Sequence, residues 1–424
     1  MNRIKNFRQL NTTAEREIVL ELIEAALAAI DPEDVFKAHF KVNGKILIVR
    51  EKKIDLAGFD RIFLLGFGKG SAKNCAIIER ILDSKLTGGF VIDVTSEKFT
   101  KIQFSLGTHP LPSRQNVEFA QKVADAFCDL SEKDLVIVVT CGGGSALFEL
   151  PTIPLDSLRK IDQELLHSGA NIHDVNVVRK HLSRVKGGGL AEIVFPATII
   201  NLVFSDVPGN DLTVIASGPT VADPTSQEDA WQTYNQYNLE DKDHLKKSDF
   251  TKTIDDKKIF ENVDNILFLS NLTALSAMKQ KAKELGIEAS IFSDRFQGEA
   301  KDAGQKLIKN TKNGQILLTG GETTVKVIGD GAGGRNLEVV LGALDSLNNK
   351  TIIASFASDG WDNNEYAGAI GDNQTVVGLR NLNLDPQVFL NRNDSLNFFR
   401  NVGGGIETGR LPSNVSDLMI VYKP

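Results

Sequence analysis

A series of short, continuously apolar runs, each ending in Gly, Ser, Thr or Asp, constrains this chain more than any other feature. Most of the runs are followed by a stretch with helical spacing. Continuous rather than alternating apolarity is typical of strands buried on both faces, as in a parallel sheet covered by helices. The sequence therefore predicts an α/β fold with mostly parallel sheets. The runs are RIFLLG, GFVIDVTS, DLVIVVTCGGG and ATIINLVFSD in a first series, and NILFLSN, QILLTGGE and TIIASFASDG in a second.

A charged segment that is poor in large apolar residues separates the two series. It runs from Leu239 to Asp264 and is typical of a surface connection or an exposed helical hairpin. A chain of 424 residues is long enough for two or three domains. We therefore predict two α/β domains, residues 1–250 and 251–424, with a boundary within about fifteen residues of position 250.

One long helix is predicted before the first strand. Apolar residues recur at helical spacing over residues 14–30, Thr12 and Thr13 are candidate N-caps, and Asp31-Pro32 stops the pattern. The helix could pack on either predicted domain.

Net charge and cysteine content limit the classes of binding partner and the cellular compartment that we expect. A net charge of −7 argues against nucleic acid as the main partner, but it leaves a local site for an anionic small molecule possible. Three cysteines without paired or metal-like spacing suit a reducing cytoplasm. The N-terminus lacks an apolar signal-peptide core, and no apolar run approaches the ~18 residues of a membrane helix. We expect a cytoplasmic monomer or homodimer without a membrane partner.

The first glycine-rich turn, GFGKGS, departs from the known nucleotide-binding fingerprints. A dinucleotide fingerprint needs glycine where Ser71 stands, and an acidic residue about twenty positions on. The nearest acids are Asp83 and Asp93, neither of which stands convincingly at that place. No Walker A sequence occurs anywhere in the chain.

The same turn nevertheless has features of an anion site. Gly66, Gly68 and Gly70 follow the end of an apolar run, with Lys69 among them. A lysine with a pKa of about 10.4 is a cation at neutral pH, and beside a helix N-terminus it adds to the attraction for anions. The alternative is a tight turn with no ligand.

A second glycine turn, TCGGGSA, follows the run LVIVV. Gly142, Gly143 and Gly144 permit close approach of a ligand to the backbone, and the Ser145 hydroxyl can donate to a ligand oxygen. The alternative is a glycine-rich turn that opens a helix.

An aspartate ends the most apolar run. Asp206, in SDVPGND, could hold Mg²⁺ through oxygen or accept a proton from a substrate hydroxyl. The alternative role is that of a capping or turn residue.

The most specific stretch is LTGGETTVKVIGDGAGGRNLE. Glu322 follows paired glycines at a predicted strand end, and Arg335 follows Gly333 and Gly334 at the start of a predicted helix. The planar guanidinium suits bidentate binding of a carboxylate or a phosphate.

A further acidic group follows the next apolar run. Asp359, Asp362 and Glu365 stand in SDGWDNNEYAGA, and many acids with few histidines favour Mg²⁺ over Zn²⁺. His109 and His181 form no metal-binding spacing and are interpreted as structural. Cations on glycine turns with carboxylates on neighbouring strand ends fit phosphoryl transfer, in which positioning and charge neutralisation dominate.

At this level of detail the sequence resembles the two-domain glycerate 2-kinase family, whose C-terminal part is called the MOFRL domain. The resemblance runs over nearly the whole chain. The motifs that carry it are LLGFGKGSAKN, GTHPLPSRQNV, CGGGSALFELP, GANIHDVNVVRKHLSRVKGG, LVFSDVPGNDLTVIASGPTVADP, GGETTVKVIGDGAGGRNLE, SDGWD and NVSDL.

The resemblance implies two α/β domains, a Rossmann/flavodoxin-like one and a MOFRL-type one, with the active site in the cleft between them. It implies transfer of the γ-phosphoryl group of ATP, with Mg²⁺, to the 2-hydroxyl of D-glycerate. It places Lys69 and Arg335 in the active site. We add as hypotheses that Asp206 draws the proton from the acceptor hydroxyl and that Glu322 and Asp359 hold Mg²⁺. The glycines of both turns and Ser145 would cradle nucleotide or substrate oxygens.

Three departures from the family pattern leave the substrate open. The usual KGGRLA has Gly189 in place of arginine, and the usual DGxDGPTDAAGA is changed at residues 363–366. The usual TGPTGTNV becomes TGRLPSNV, which introduces Arg410 and changes residues 410–412. A relocated carboxylate clamp, a different acid or weakened catalysis would each fit these changes.

Three alternatives to a glycerate kinase therefore remain. One is a kinase of a related small hydroxy acid. Another is a hydroxypyruvate reductase, a label that some relatives have carried, which the departures from the dinucleotide fingerprint disfavour. The last is a binding protein that has lost turnover.

Overall fold

The computed structural model describes residues 2–237, 245–348 and 350–424. Contacts divide the chain into two compact units. The first unit comprises Val35–Ser205 and Asn210–Phe268, and the second unit comprises Met1–Asp34, Asp206–Gly209 and Leu269–Pro424. The predicted domain limits, 1–250 and 251–424, stay a prediction.

Strands and helices alternate through much of the described chain. The strands, in chain order, are β1 Phe40–Asn43, β2 Ile46–Val49, β3 Lys52–Asp55, β4 Arg61–Phe67, β5 Gly88–Asp93, β6 Ile102–Leu106, β7 Asp134–Thr140, β8 Thr198–Phe204, β9 Val263–Leu269, β10 Glu288–Phe296, β11 Gln315–Gly321, β12 Ile352–Ala357, β13 Gly368–Gly371, β14 Gly405–Ile406 and β15 Asp417–Lys423. The α-helices are α1 Phe7–Leu10, α2 Ala14–Ala29, α3 Pro32–His39, α4 Ser71–Leu82, α5 Arg114–Ala126, α6 Gly144–Leu147, α7 Leu155–His167, α8 Ile172–His181, α9 Gly189–Val194, α10 Gln227–Gln236, α11 Lys257–Glu261, α12 Asn271–Glu284, α13 Ala300–Asn310, α14 Arg335–Ala343, α15 Asn373–Asn381, α16 Pro386–Asn391 and α17 Ser395–Val402.

The main sheet of the first unit has the order β6-β5-β4-β7-β8-β9. The pairs β5–β6, β4–β5, β4–β7 and β7–β8 are parallel, as the apolar runs predict. Every residue of β7 is buried, which is typical of a strand covered on both faces. The strand order reverses between β4 and β7, so the carboxyl ends of these two strands form the topological switch point at which α/β sheets bind ligands. A small antiparallel sheet, β1-β2-β3, belongs to the same unit.

The sheet of the second unit is mixed, with the order β10-β11-β15-β12-β13-β14. The pair β10–β11 is parallel, whereas β11–β15, β12–β15, β12–β13 and β13–β14 are antiparallel. The reason is that β15, the last strand of the chain, lies between β11 and β12 and runs against both. The α/β class predicted from the sequence is confirmed, and the parallel arrangement is confined to the first unit and one pair of the second.

The long N-terminal helix belongs to the second unit. Helix α2 is capped by the Thr13 hydroxyl, which accepts a hydrogen bond from the Arg16 backbone N–H at 3.1 Å. It packs on α12, and the Glu21 carboxylate pairs with Lys281 at 3.0 Å. Buried Arg16 pairs with Asp372 at 2.7 Å. These contacts decide between the two packing alternatives left open by the sequence.

The predicted connection, Leu239–Asp264, is described in part. Residues 239–244 lie outside the described residues, and α11 follows within the described remainder. Among the described residues, no helix combines the length and the apolar character needed to cross a membrane.

Candidate active site

Both predicted glycine turns of the first unit lie at the switch point of its sheet. Gly66 lies near the end of β4, Gly68 and Gly70 lie in the turn that follows it, and Gly142–Ser145 follow β7, which is the neighbouring strand. The two turns are hydrogen-bonded, because the Cys141 N–H donates to the Phe67 carbonyl at 3.0 Å and the Lys69 N–H donates to the Gly142 carbonyl at 2.8 Å. The structure thus brings the two sequence-predicted turns together.

Close packing explains the glycines of the first turn. A Cβ at Gly66 would collide with the Cys75 Sγ, and a Cβ at Gly68 would collide with the Cys141 carbonyl. Gly68 and Gly70 also have φ of 106° and 86°, in the left-handed region that favours glycine. The turn is therefore shaped by backbone packing, which leaves Lys69 as its polar, exposed member.

Lys69 lies beside His109, which the sequence pattern alone indicated as a structural residue. A Cβ placed on Gly143 would lie 3.3 Å from the Lys69 Cε and 2.8 Å from the His109 Cδ2, so both side chains border the second turn. Burial and then the positive charges of Lys69 and Arg179 lower the pKa of the His109 imidazole. Within the described part of the chain, the Lys69 ammonium has no hydrogen-bonded or ion-paired partner. The charge of Lys69 is therefore available to a ligand.

The Ser145 hydroxyl belongs to a chain of hydrogen bonds. The Ser217 Oγ donates to the Asn176 Oδ1 at 2.6 Å, so the proton of the 2.9 Å contact between Ser145 and Ser217 comes from Ser145. Ser217 and the preceding Ala216 have φ of 61° and 50°, a left-handed conformation that is costly for residues other than glycine. The Ser145 hydroxyl can therefore accept a hydrogen bond from a ligand, but its proton is already donated to Ser217 in this structure.

The predicted acidic residues of the second unit gather at one edge of its sheet. In the register, Asp417 at the start of β15 lies opposite Gly321 of β11 and Ala357 of β12. Glu322 directly follows Gly321, and Asp359 lies two residues after Ala357. Both acids therefore lie near Asp417, one on each side of β15. The carbonyl oxygen of Asp206 reaches the same place, because it accepts a hydrogen bond from the Ser416 hydroxyl at 2.6 Å.

Arg335 is held at this edge by two carboxylates. Its Nε donates to the Asp417 Oδ2 at 2.6 Å, and its Nη1 bonds to Glu322. Burial alone would lower the pKa of the guanidinium, but Asp417 and Glu322 outweigh burial and raise it. Burial raises the pKa of Asp417 to about 6, although Arg335 opposes this rise. Asp417 is 1% exposed at its side chain and Glu322 is 46% exposed, so the Glu322 contact is the replaceable one.

Asp362 caps the helix that Arg335 begins. Its carboxylate accepts the backbone N–H groups of Asn336 and Leu337 at 3.1 and 2.9 Å. The Asn336 amide donates to both Asp362 and Asp417, at 3.2 and 3.0 Å, and so links the cap to the ion pair. A Cβ at Gly334 would collide with Asp362, which explains that glycine as a packing requirement of the cap.

The predicted metal ligands do not form a closed site. Glu322 is paired with Arg335, and an Asp359 carboxylate oxygen accepts the Trp361 backbone N–H at 3.0 Å. Among the described residues, no group of three or more His, Cys, Asp or Glu side chains could hold a metal ion.

The departures from the family pattern have local structural roles. A Cβ at Gly189 would collide with the Arg184 carbonyl. Glu365 pairs with Arg400, and the Asn364 amide donates to the Asp362 carbonyl at 2.6 Å. The guanidinium of Arg410 lies over the Trp361 ring, 4.1 Å from its centroid. Arg410 is thus a stacked, exposed cation near Asp359.

Sequence reasoning missed four residues that the structure places at these two sites: His109, Asn336, Asp362 and Asp417. His109 was interpreted as structural, Asp362 was considered only as a member of an acidic group that favours Mg²⁺, and Asp417 stood in the motif NVSDL without a role. These residues are recognised from the register of β15 and from the approach of His109 to Gly143. Neither can be read from the spacing of residues along the chain.

A family described as "Domain of unknown function (DUF4147)" matches residues 18–248, and the MOFRL family matches residues 315–417. A glycerate 2-kinase of Pyrococcus horikoshii is 34% identical, with 96% of each chain covered. The chain belongs to the glycerate 2-kinase family. This membership confirms the resemblance carried by the sequence motifs.

Other relatives of the family bear on fold and on function. The crystal structure of a glycerate kinase from Thermotoga maritima matches with a TM-score of 0.83 and 31% identity, over 96% of this chain and 99% of that one. A protein of Agrobacterium vitis named "Putative hydroxypyruvate reductase" is 31% identical, over 97% of this chain and 95% of its own length. The glycerate kinase family thus includes curated members with two different names.

Proposed function

We propose that this chain is an ATP-dependent kinase that transfers the γ-phosphoryl group to the 2-hydroxyl of D-glycerate. The observation that carries the proposal is the 34% identity to a glycerate 2-kinase over 96% of both chains. The proposal keeps residues 1–250 as the kinase domain with the glycine-loop lysine and 251–424 as the MOFRL-type domain. It includes a cytoplasmic setting and a monomer or homodimer.

Two cations would neutralise the charge that develops during transfer. Lys69 has no partner for its ammonium among the described residues, and Arg335 is fixed in orientation by Asp417. A preorganised charge at the position of the transferring phosphoryl group stabilises the transition state without reorganisation. We assign both residues to charge neutralisation or to holding the acceptor carboxylate.

The remaining roles follow from chemistry. Asp206 would draw the proton from the acceptor hydroxyl, because it is the carboxylate among the three predicted catalytic residues and a carboxylate can act as a general base. The backbone of Gly66, Gly68 and Gly70, and that of Gly142–Ser145 and Gly333–Gly334, would approach nucleotide or substrate oxygens. Ser145 would act as an acceptor unless its bond to Ser217 rearranges.

Magnesium fits the donor set at the edge of β11 and β12. Mg²⁺ in kinases is bound by one or two carboxylates together with substrate phosphates. Glu322, with its half-exposed carboxylate, and Asp359 would hold the ion, which when bound neutralises phosphate charge. A site with two carboxylates agrees with the lack of a three-ligand group among the described residues.

A hydroxypyruvate reductase is the second candidate, since a curated relative has that name. The surroundings of Asp93, one of the two candidate acids for a ribose hydroxyl, argue against it. Asp93 stands at the end of β5, next to β4, but it is fully buried and accepts the backbone N–H groups of Ala72 and Val94 at 2.9 and 2.6 Å. Burial raises the pKa of Asp93 despite these bonds. One oxygen thus accepts from the start of α4 and the other from the residue after β5, and the buried carboxylate is not open to a ribose hydroxyl.

One pair of assays separates the candidates. We expect ADP release to be stimulated by D-glycerate in a panel of three- to five-carbon hydroxy acids, and phosphorus NMR to show a 2-phosphate. We expect no steady oxidation of NADH with hydroxypyruvate. Stronger stimulation by another acid would identify a different acceptor, and NADH oxidation would favour the reductase. No stimulation by any acid would support a binding protein without turnover.

A further inference from the structure

A cavity of about 420 Å³ lies in the second unit beside Arg335. Its wall includes Arg335 and the adjoining Gly333 and Gly334, together with the aliphatic side chains of Val325 and Val327. The volume falls within the range of small-molecule sites, about 300–1,000 Å³. Arg335 gives the cavity a cationic part and the two valines give it an apolar part. Polar side chains, among them Glu338 and Asn363, line the rest of the wall. The roles proposed above use the cationic part alone.

The loop that carries Val327 is held firmly in place by Asn393. The Asn393 Oδ1 accepts the backbone N–H groups of Ile328 and Gly329 at 2.7 and 2.9 Å, and its Nδ2 donates to the Lys326 carbonyl at 3.2 Å. The Gly331 N–H further donates to the Arg392 carbonyl at 2.8 Å. The apolar part of the wall is thus preorganised, which lowers the entropic cost of binding.

Two large aliphatic side chains on this loop are exposed to water. Val327 is 74% exposed and Ile328 is 65% exposed. Apolar surface in water at the rim of a cavity is a feature of ligand sites, because a bound apolar group covers it. Val327 lines the cavity, whereas Ile328 is not among the described residues that line it. The chain therefore offers a matched pair of positions for a test.

We propose that this cavity binds the nucleoside part of the phosphoryl donor, with the phosphates toward Arg335. The inference rests on the proposed function and deepens it by assigning the donor to the second unit. A nucleotide has a flat apolar ring system at one end and an anionic chain at the other, which matches the two parts of the wall. D-glycerate carries an oxygen on each of its three carbons and has no apolar face for the valines to cover.

The test compares Val327→Ser with Ile328→Ser in the full chain. Calorimetric titration in magnesium buffer uses ADP and, separately, tripolyphosphate, which has an anionic chain but no nucleoside. We expect Val327→Ser to weaken ADP binding about five- to tenfold through lost apolar burial and to leave tripolyphosphate binding unchanged. We expect Ile328→Ser to bind both as the unsubstituted chain does. Thermal melts check that both exposed-site variants fold.

A second, kinetic test measures the KM for ATP and the KM for the acceptor. Val327→Ser should raise the KM for ATP by a similar factor and leave the KM for the acceptor unchanged. The inference is overturned if ADP binding is unaffected by Val327→Ser, if both variants weaken it equally, if both ligands are weakened alike, or if the unsubstituted chain binds no ADP. Failure of the proposed function is seen separately, as missing ADP release with glycerate, because the ADP titration needs no turnover.

Discussion

The two cation-bearing turns of this chain differ in how the charge is held. Lys69 follows a parallel strand, is exposed, and has no partner for its ammonium within the described residues. Arg335 opens a helix beside a mixed sheet, and its guanidinium bonds to buried Asp417 and to Glu322. In both cases an aspartate from another segment, Asp93 at the end of β5 or Asp362 in the loop after β12, accepts backbone N–H groups of the helix that follows. These carboxylates occupy backbone donors at the start of each helix, so the positive charge that attracts an anion comes from Lys69 or Arg335.

The Lys69 charge is therefore adjustable in position, whereas the Arg335 charge has a fixed orientation. A lysine on a flexible stem can follow a group as it moves, whereas an arginine fixed by two carboxylates presents its planar edge in one direction. Substitutions at the two positions should therefore differ in their effect on stability as well as on rate.

The largest effect is expected for Arg335→Ala. Removal of the guanidinium should lower kcat about 10³-fold or more, by analogy with other arginines that stabilise phosphoryl transfer. It should also lower the free energy of unfolding by about 2 kcal/mol, because buried Asp417 loses its charged partner and keeps the hydrogen bond from the Asn336 amide. Steady-state kinetics and urea unfolding measure both quantities. An unchanged stability would contradict the oriented ion pair.

Lys69→Ala should lower kcat at least ~10²-fold through lost charge stabilisation. Its free energy of unfolding should stay within about 0.5 kcal/mol of the unsubstituted chain, since an exposed side chain without a partner is removed. Lys73→Ala, four residues on in α4, is the matched control and should leave kcat unchanged. A near-normal rate for Lys69→Ala would remove this lysine from the mechanism.

Asp417→Asn should lower kcat about tenfold, because the neutral amide orients Arg335 less firmly than a carboxylate. The KM values should change less than kcat, which separates orientation from binding. The control is Glu365→Gln, which weakens an exposed arginine–carboxylate pair elsewhere in the second unit. Equal effects of the two substitutions on kcat would argue against a positioning role for Asp417.

The smallest effect is a pH dependence of stability. Burial first, and then the charge of Asp417, raise the pKa of Asp362 to about 7, against the hydrogen bonds of Leu337 and Asn336 that lower it. In the unfolded chain the group titrates near pH 4, at about 3.9. The folded protein holds the proton more tightly, so the stability from this group is complete below about pH 4 and is lost as the pH rises through about 7.

Asp362→Asn should remove that dependence. The Tm of the unsubstituted chain relative to the variant should fall by about 3 °C between pH 5 and pH 8, as measured by calorimetry. Parallel Tm profiles for the two chains would show that Asp362 does not titrate in this range.

The sequence predicted the α/β class and the parallel order of the first unit, because continuous apolar runs carry that information directly. It also predicted that the turns after β4 and β7 bear the polar residues, since parallel strands end at one edge. It did not reveal that β15 lies between β11 and β12. A run such as LMIVY predicts a strand, but its neighbours are chosen by tertiary packing. Asp417 therefore had no visible role until the register was known.

The glycines of the two candidate sites also show what the sequence alone could not predict. Gly66, Gly68 and Gly334 fit a ligand cradle by sequence, but their hydrogens face Cys75, Cys141 and Asp362 in the structure. A glycine can be required by close packing within the fold or by close approach of a ligand. The sequence alone does not distinguish these two causes. His109 was missed for the complementary reason, because its approach to Gly143 joins segments more than thirty positions apart.

The central place of β15 has a consequence for how the second unit is assembled. This unit takes helix α2 from the start of the sequence and its middle strand from the far end. Strand pairing across such separations is slow to form, since the closing contacts must await distant residues. During synthesis, the edge of β11 would stay unpaired until Lys423 has been made, with its backbone open to the wrong neighbour.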